Sequence, residues 1–128
     1  MKVLICDDDK CIVDEIKNNL NTFSDKHRIA FDIDLFYNGV ELLNSNISYD
    51  MAFIDIEMPL VNGLTLSAQL KKVNSNIIIF IITSHDAYLD DAMDLDVFRY
   101  LSKPIDNNRF FRALNTAINY YHSNTQII

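Results

Sequence analysis

Three uninterrupted apolar runs punctuate the chain. Val3-Leu4-Ile5 leads to three aspartates, residues 51–54 stop at Asp55, and residues 77–82, the longest run, stop at Thr83-Ser84. Short runs without polar alternation predict strands buried on both faces, as in a parallel sheet covered by helices. Phe31, Ile33 and Leu35 instead alternate with Asp32 and Asp34, which predicts a half-exposed edge strand. A short last strand is predicted over residues 98–101.

Helical periodicity fills the intervals. Val13, Ile16, Leu20 and Phe23 recur at steps of three and four, an amphipathic helix that the polar residues 24–28 are expected to end. Asn38-Gly39 signals a turn, followed by a short helix with Val40, Leu42 and Leu43. Pro59 closes the loop after the third strand, and Asn62-Gly63 leads into a helix carrying Leu66, Leu70 and Val73. Residues 87–95 read as a weaker helix with Tyr88, Ala92 and Leu95 on one face. Phe110, Phe111, Leu114, Ile118 and Tyr121 mark a last amphipathic helix. Five strand–helix units with short connections predict an α/β fold, an open doubly wound parallel sheet with right-handed crossovers. In such sheets ligands bind beyond the carboxyl ends of the strands.

Composition narrows the function. A length of 128 residues fits one domain, expected over residues 1–122, with residues 123–128 a tail or the start of a linker to an output domain. The apolar share of 49% suffices for a core. With 11 Lys and Arg against 18 Asp and Glu, the formal charge is −7, which argues against a nucleic-acid surface in this segment. Two glycines exclude the common glycine-rich phosphate loops. Cys6 and Cys11 have no second pair to complete a metal site and read as inert core or near-core thiols. Nothing at the start resembles a secretory signal, and no apolar run approaches the roughly 20 residues that span a bilayer. The expected location is the cytoplasm, with no membrane partner.

The strand ends carry the chemistry. Asp7-Asp8-Asp9 follow the first strand, Asp55 the third, Thr83 the fourth, and Lys103-Pro104 the fifth. Carboxylates brought together at ~4 Å repel by about 4 kcal/mol per pair at an effective dielectric of ~20. A cation among them, or a retained proton, relieves this. Mg²⁺ suits a site of few carboxylates plus waters and a phosphate. Lys103 would add a point charge for a phosphoryl oxygen, and Thr83 a hydroxyl. Asp55, at the tip of a central strand, is placed to act as a nucleophile toward phosphorus. The plainer account, acids capping helices where loops begin, suits one aspartate better than three acids, a hydroxyl and a lysine at four strand tips.

These residues also carry a family pattern. Leu4-Ile5-Cys6-Asp7-Asp8, Ile54-Asp55-Ile56-Glu57-Met58-Pro59, Asn62-Gly63, Ile82-Thr83-Ser84 and Tyr100-Leu101-Ser102-Lys103-Pro104 together resemble the receiver domain of two-component response regulators, over essentially the whole chain. The resemblance implies a flavodoxin-like, CheY-like sheet in strand order 2-1-3-4-5 with five helices, and phosphotransfer from a sensor histidine kinase to Asp55. It implies Mg²⁺ held by Asp7, Asp8, Asp55 and the backbone carbonyl of Glu57. Lys103 matches the residue that pairs with the phosphoryl group, Thr83 and Tyr100 the switch pair, and Pro104 a proline that follows a cis bond. Glu57 and His85 match positions that border the phosphoryl group and tune its lifetime. Switching is expected on the surface formed by the fourth helix, fifth strand and fifth helix, with a phosphorylation-dependent homodimer as one outcome.

Residues 84–88 and 98–105 further resemble receivers of LytTR-type transcription regulators, so DNA would be reached only through an output domain. A stand-alone phosphorelay receiver is the alternative. Two rival classes fit less well. A Mg²⁺-dependent phosphatase with an aspartate nucleophile usually has a second aspartate two residues on, where this chain has Glu57, and needs a cap domain. A flavodoxin-like cofactor binder wants a Ser/Thr/Gly-rich loop after the first strand, where three aspartates stand.

Overall fold

The computed structural model describes residues 1–84 and 97–125. In chain order the elements are β1 (Lys2–Cys6), α1 (Lys10–His27), β2 (Asp32–Phe36), α2 (Val40–Leu43), β3 (Met51–Ile54), α3 (Gly63–Val73), β4 (Ile78–Thr83), β5 (Arg99–Ser102) and α4 (Asn107–Thr125). The five strands form one parallel sheet in the order β2-β1-β3-β4-β5, as expected. The helix expected over residues 87–95, with Tyr88 and Leu95, and the candidate His85 lie outside the described residues.

The central strands are apolar throughout because successive side chains feed two different cores. Val3, Ile5, Met51, Phe53, Ile78, Phe80 and Ile82 point to the side covered by α1 and α4, where Val13, Ile16, Leu20, Phe110, Leu114 and Ile118 close over them. Phe53 stacks on Phe80 at 4.7 Å between ring centroids and on Phe110 at 5.5 Å. Leu4, Cys6, Ala52, Ile54, Ile79 and Ile81 point the other way, against Leu42, Leu66 and Leu70.

The structure departs from the sequence reading at the end of one helix and in the burial of two side chains. Helix α1 runs through the polar residues 24–27, whose outward positions do not interrupt it. It ends where Arg28 takes the left-handed conformation (φ 55°) and both Arg28 and Ile29 donate their N–H groups to the Ser24 carbonyl. Val73, expected on the buried stripe of α3, lies exposed on its last turn, leaving Leu66 and Leu70 to anchor the helix. Cys6 is a buried core thiol, but Cys11 is exposed on the first turn of α1. No described helix is long and apolar enough to cross a membrane.

Candidate functional site

Strand register assembles the site. In β1 and β3, Cys6 lies beside Ile54, so the next residues, Asp7 and Asp55, emerge as neighbours; the Asp55 N–H donates to the Cys6 carbonyl at 3.0 Å. In β3 and β4, Ile54 lies beside Ile81, which sets Thr83 one position beyond the level of Asp55. In β4 and β5, Thr83 lies beside Ser102, and the Lys103 N–H donates to the Thr83 carbonyl at 3.0 Å. Four strand ends thereby deliver Asp7, Asp55, Thr83 and Lys103 to one edge of the sheet.

Carboxylate oxygens of Asp7, Asp8 and Asp55 lie within 4.8 Å of one another. Asp7 and Asp55 are buried, at 2% and 6% exposure, whereas Asp8 faces solvent. The Lys103 ammonium sits 2.8 Å from Asp7 Oδ2 and 3.3 Å from Asp55 Oδ2. Asp9 stands apart: its carboxylate accepts the Cys11 N–H at 2.9 Å and caps α1, while its own N–H donates to Asp7 Oδ1 at 2.9 Å. The plain capping account is therefore right for one acid of the triplet and leaves the other two unexplained by it.

Three carboxylates face one ammonium. Burial pushes the Asp7 carboxyl above its ordinary range, against the opposing pull of Lys103 and of the Asp9 N–H, and the neighbouring Asp55 pushes in the same direction as burial. Burial would lower Lys103, but Asp7 and Asp55 together outweigh it and hold the ammonium above its usual value. At 4.8 Å each pair of charged carboxylates repels by about 3.5 kcal/mol at an effective dielectric of ~20. The donor set is oxygen only, over-acidic and open to solvent through Asp8, which is the chemistry a hard divalent cation requires.

Thr83 is fully buried as the last residue of β4. It follows Ile79 and Ile81 on the same sheet face by the two-residue repeat, and Tyr100, paired with Ile81, packs half-buried against that face. Thr83 and Tyr100 thus share one side of the sheet. Glu57 is exposed on the loop after β3, and the Lys103–Pro104 bond is cis. His27 and His122 are exposed and remote in sequence from the cluster.

Two features go beyond what was read in the sequence. Gly63 opens α3 directly behind Asp55: a Cβ there would stand 2.1 Å from the Asp55 carbonyl oxygen, so only glycine lets the helix approach. The available signal was a glycine, a poor helix former, at a helix start in a chain with only two. Separately, Arg99, Arg109 and Arg112 line a groove of about 360 Å³ between β5 and α4, together with Tyr100 and Thr116. Three of the chain's four arginines gather there although residues 99, 109 and 112 are unremarkable in the linear pattern.

A parallel 2-1-3-4-5 sheet with an acidic pocket at its carboxyl edge defines a class, and comparison with known proteins names it. The family described as the response regulator receiver domain matches residues 3–115. The sensory transduction protein LytR of Staphylococcus haemolyticus is 33% identical over 118 residues, which cover 90% of this chain and 44% of that protein. Among solved structures, the signal receiver domain of an HD domain-containing protein from Pseudomonas fluorescens Pf-5 superposes with a TM-score of 0.82 at 19% identity, covering 99% of this chain and 93% of that one. The response regulator TrrA from Thermotoga maritima, solved in complex with Mg²⁺-BeF, matches with a TM-score of 0.75 at 24% identity, covering 91% and 97%.

The chain belongs to the response regulator receiver family of two-component systems, the signalling phosphoacceptors. Its curated relatives include LytR- and LytT-type regulators, and it spans about half the length of those it matches.

Proposed function

We propose that Asp55 accepts a phosphoryl group from a phosphohistidine of a sensor kinase, in a reaction supported by Mg²⁺. One Asp55 carboxylate oxygen forms the new O–P bond as the donor's N–P bond breaks, and the electron pair of that bond returns to the imidazole nitrogen. Asp7, Asp8 and Asp55, with the Glu57 backbone carbonyl, would hold the ion, which neutralises charge on the phosphoryl oxygens. Lys103, already 3.3 Å from Asp55, supplies a second positive charge beside the acceptor. That contact, within a cluster of three carboxylates and one lysine, is the observation on which the reading rests most.

A phosphoryl group adds close to two negative charges and several acceptor oxygens at this edge. Thr83 would turn its hydroxyl to those oxygens, and Tyr100, on the same sheet face, would move into the space released. The change would be read on the face of β5 and α4, where the arginine-lined groove lies, by a second copy of the chain or by an output domain. Glu57 and His85 would set the lifetime of the aspartyl phosphate. In this reading the chain catalyses only its own phosphorylation and dephosphorylation, in the cytoplasm. It controls transcription through a DNA-binding domain beyond residues 123–128, as the names of its LytR relatives support.

Incubation with acetyl phosphate and Mg²⁺, followed by intact mass, tests the acceptor. The wild-type chain should gain one phosphoryl group, and Asp55→Asn or chelation of the metal should abolish the gain. An adduct that survives in Asp55→Asn would overturn the assignment, and steady turnover with no adduct would favour a phosphatase.

A further inference from the structure

Positive charge is spread unevenly over this molecule. The chain has a formal charge of −7, yet three of its four arginines, and none of its seven lysines, line the groove between β5 and α4. Two elements bring them there. Arg99 stands on β5, the edge strand of the sheet. Arg109 and Arg112 lie three residues apart on α4, and Ala113 and Thr116 continue the same helix face. The Arg99 guanidinium is held in place, 4.7 Å from the centroid of the Phe98 ring and donating to the Phe98 carbonyl at 2.9 Å.

The protein does not balance this charge. Lys2 and Lys103 each sit against two aspartates, whereas no ion pair among the described residues includes Arg99, Arg109 or Arg112. Asp106, just before α4, turns its carboxylate to the backbone instead, where Oδ1 accepts the Arg109 N–H at 3.2 Å. The first turn of α4 contains Arg109 and no acidic residue. The amino end of a helix is partially positive, so cations are disfavoured there and an anion is favoured. Arg109, Arg112 and the helix end thus repel one another until an anion joins them.

The kind of cation selects the kind of anion. Guanidinium groups are planar forks that bind phosphate through paired N–H···O bonds, which a lysine ammonium does not match. Three of them suit a diphosphate, which carries a charge of roughly −3 near neutral pH. The groove, about 360 Å³, is of the size that holds a small molecule, and Tyr100 gives it an aromatic wall. A long nucleic acid would have to lie along the acidic remainder of the chain, and a small anion does not.

We infer that the groove of Arg99, Arg109 and Arg112 binds the diphosphate group of a small anion, either inorganic pyrophosphate or a nucleoside diphosphate. The site is separate from the Asp55 pocket and stands whether or not Asp55 is the acceptor.

Isothermal titration calorimetry on the whole chain tests this. Buffer with EDTA and about 0.1 M salt leaves the Asp55 pocket without metal and screens distant charges. Pyrophosphate, ADP and, as a carboxylate of similar charge, citrate are titrated separately. Pyrophosphate or ADP should bind at one site, more tightly than citrate. ADP tighter than pyrophosphate would identify a nucleotide as the ligand, and ADP no tighter would identify the inorganic anion. Arg109→Gln/Arg112→Gln should weaken binding on the order of ten-fold or more, as loss of charge-assisted hydrogen bonds predicts, while Lys17→Gln/Lys72→Gln, which removes the same charge elsewhere, should change it less than about two-fold. Melting curves check that each pair folds. Arg109→Lys/Arg112→Lys, which keeps the charge and loses the forks, should also bind several-fold more weakly and replaces the glutamine pair if that pair does not fold. No binding of pyrophosphate or ADP at millimolar concentration, citrate bound as tightly as either, or equal losses in the arginine and lysine pairs would each overturn the inference.

Discussion

Two clusters, one at each end of the sheet, use the same ingredients to different effect. At the amino ends of the strands Lys2 lies 3.1 Å from Asp32 and 3.7 Å from Asp34, and Asp34 accepts the Tyr49 hydroxyl at 2.7 Å. At the carboxyl ends Lys103 lies 2.8 Å from Asp7 and 3.3 Å from Asp55. The first set is solvated, with Asp32 largely exposed, and such pairs contribute little. The second is buried and has Asp8 as an additional acid. Identical residue types make a surface network in one place and an unbalanced pocket in the other, because burial and the extra charge decide what water can no longer screen.

Removing each lysine should expose the contrast most strongly. Lys103→Met leaves buried carboxylates without their cation and should lower unfolding free energy by about 3 kcal/mol in urea titrations without added metal. Lys2→Met should change it by less than about 1 kcal/mol. Comparable losses in the two variants would mean that burial does not distinguish the clusters.

Neutralising an acid should act in the opposite direction at the carboxyl end. Asp7→Asn relieves repulsion while Lys103 keeps Asp55, so the metal-free chain should gain about 1 kcal/mol and Mg²⁺ should then raise its melting temperature less than it raises that of the wild type. Asp32→Asn should do neither. The pH dependence follows from the raised Asp7 carboxyl: the folded state holds this proton more tightly than the unfolded chain. Its contribution to stability is therefore full below the ordinary carboxylate range and is lost as pH rises through the raised value. Asp7→Asn should flatten that part of the metal-free stability profile, and an unchanged profile would count against the burial of the charge.

The smallest effect concerns the thiols. Cys6 is buried beneath the acidic edge and pushed up to about 12, by burial first and then by Asp7, Asp55 and Asp8, whereas Cys11 is exposed. Iodoacetamide should add one group to the native chain, at Cys11, and two once it is unfolded. Modification of Cys6 in the folded chain would show that this end of the sheet opens readily.

The apolar runs at residues 51–54 and 77–82 made the central strands legible because a strand covered on both sides has no freedom to be polar. The placement of Asp7, Asp55, Thr83 and Lys103 at strand ends was legible for the same reason: each is the first polar residue, or nearly so, after an apolar strand. The end of α1 was less so, since polar residues such as Asp25 and Lys26 are as acceptable on the outer face of a helix as in a loop. Leu60 left no trace at all, because a left-handed leucine has the same letter as any other.

By itself the chain determined which segments are buried and which chemical groups end them, since burial and periodicity are local demands on side-chain type. Tertiary structure alone decided how those groups meet. The parallel registers put Lys103 against Asp7 rather than in water, left Asp9 to cap a helix, made room for α3 against Asp55 through Gly63, and collected Arg99, Arg109 and Arg112 in one groove. Distances between charges, and the dielectric through which they act, belong to the packed molecule.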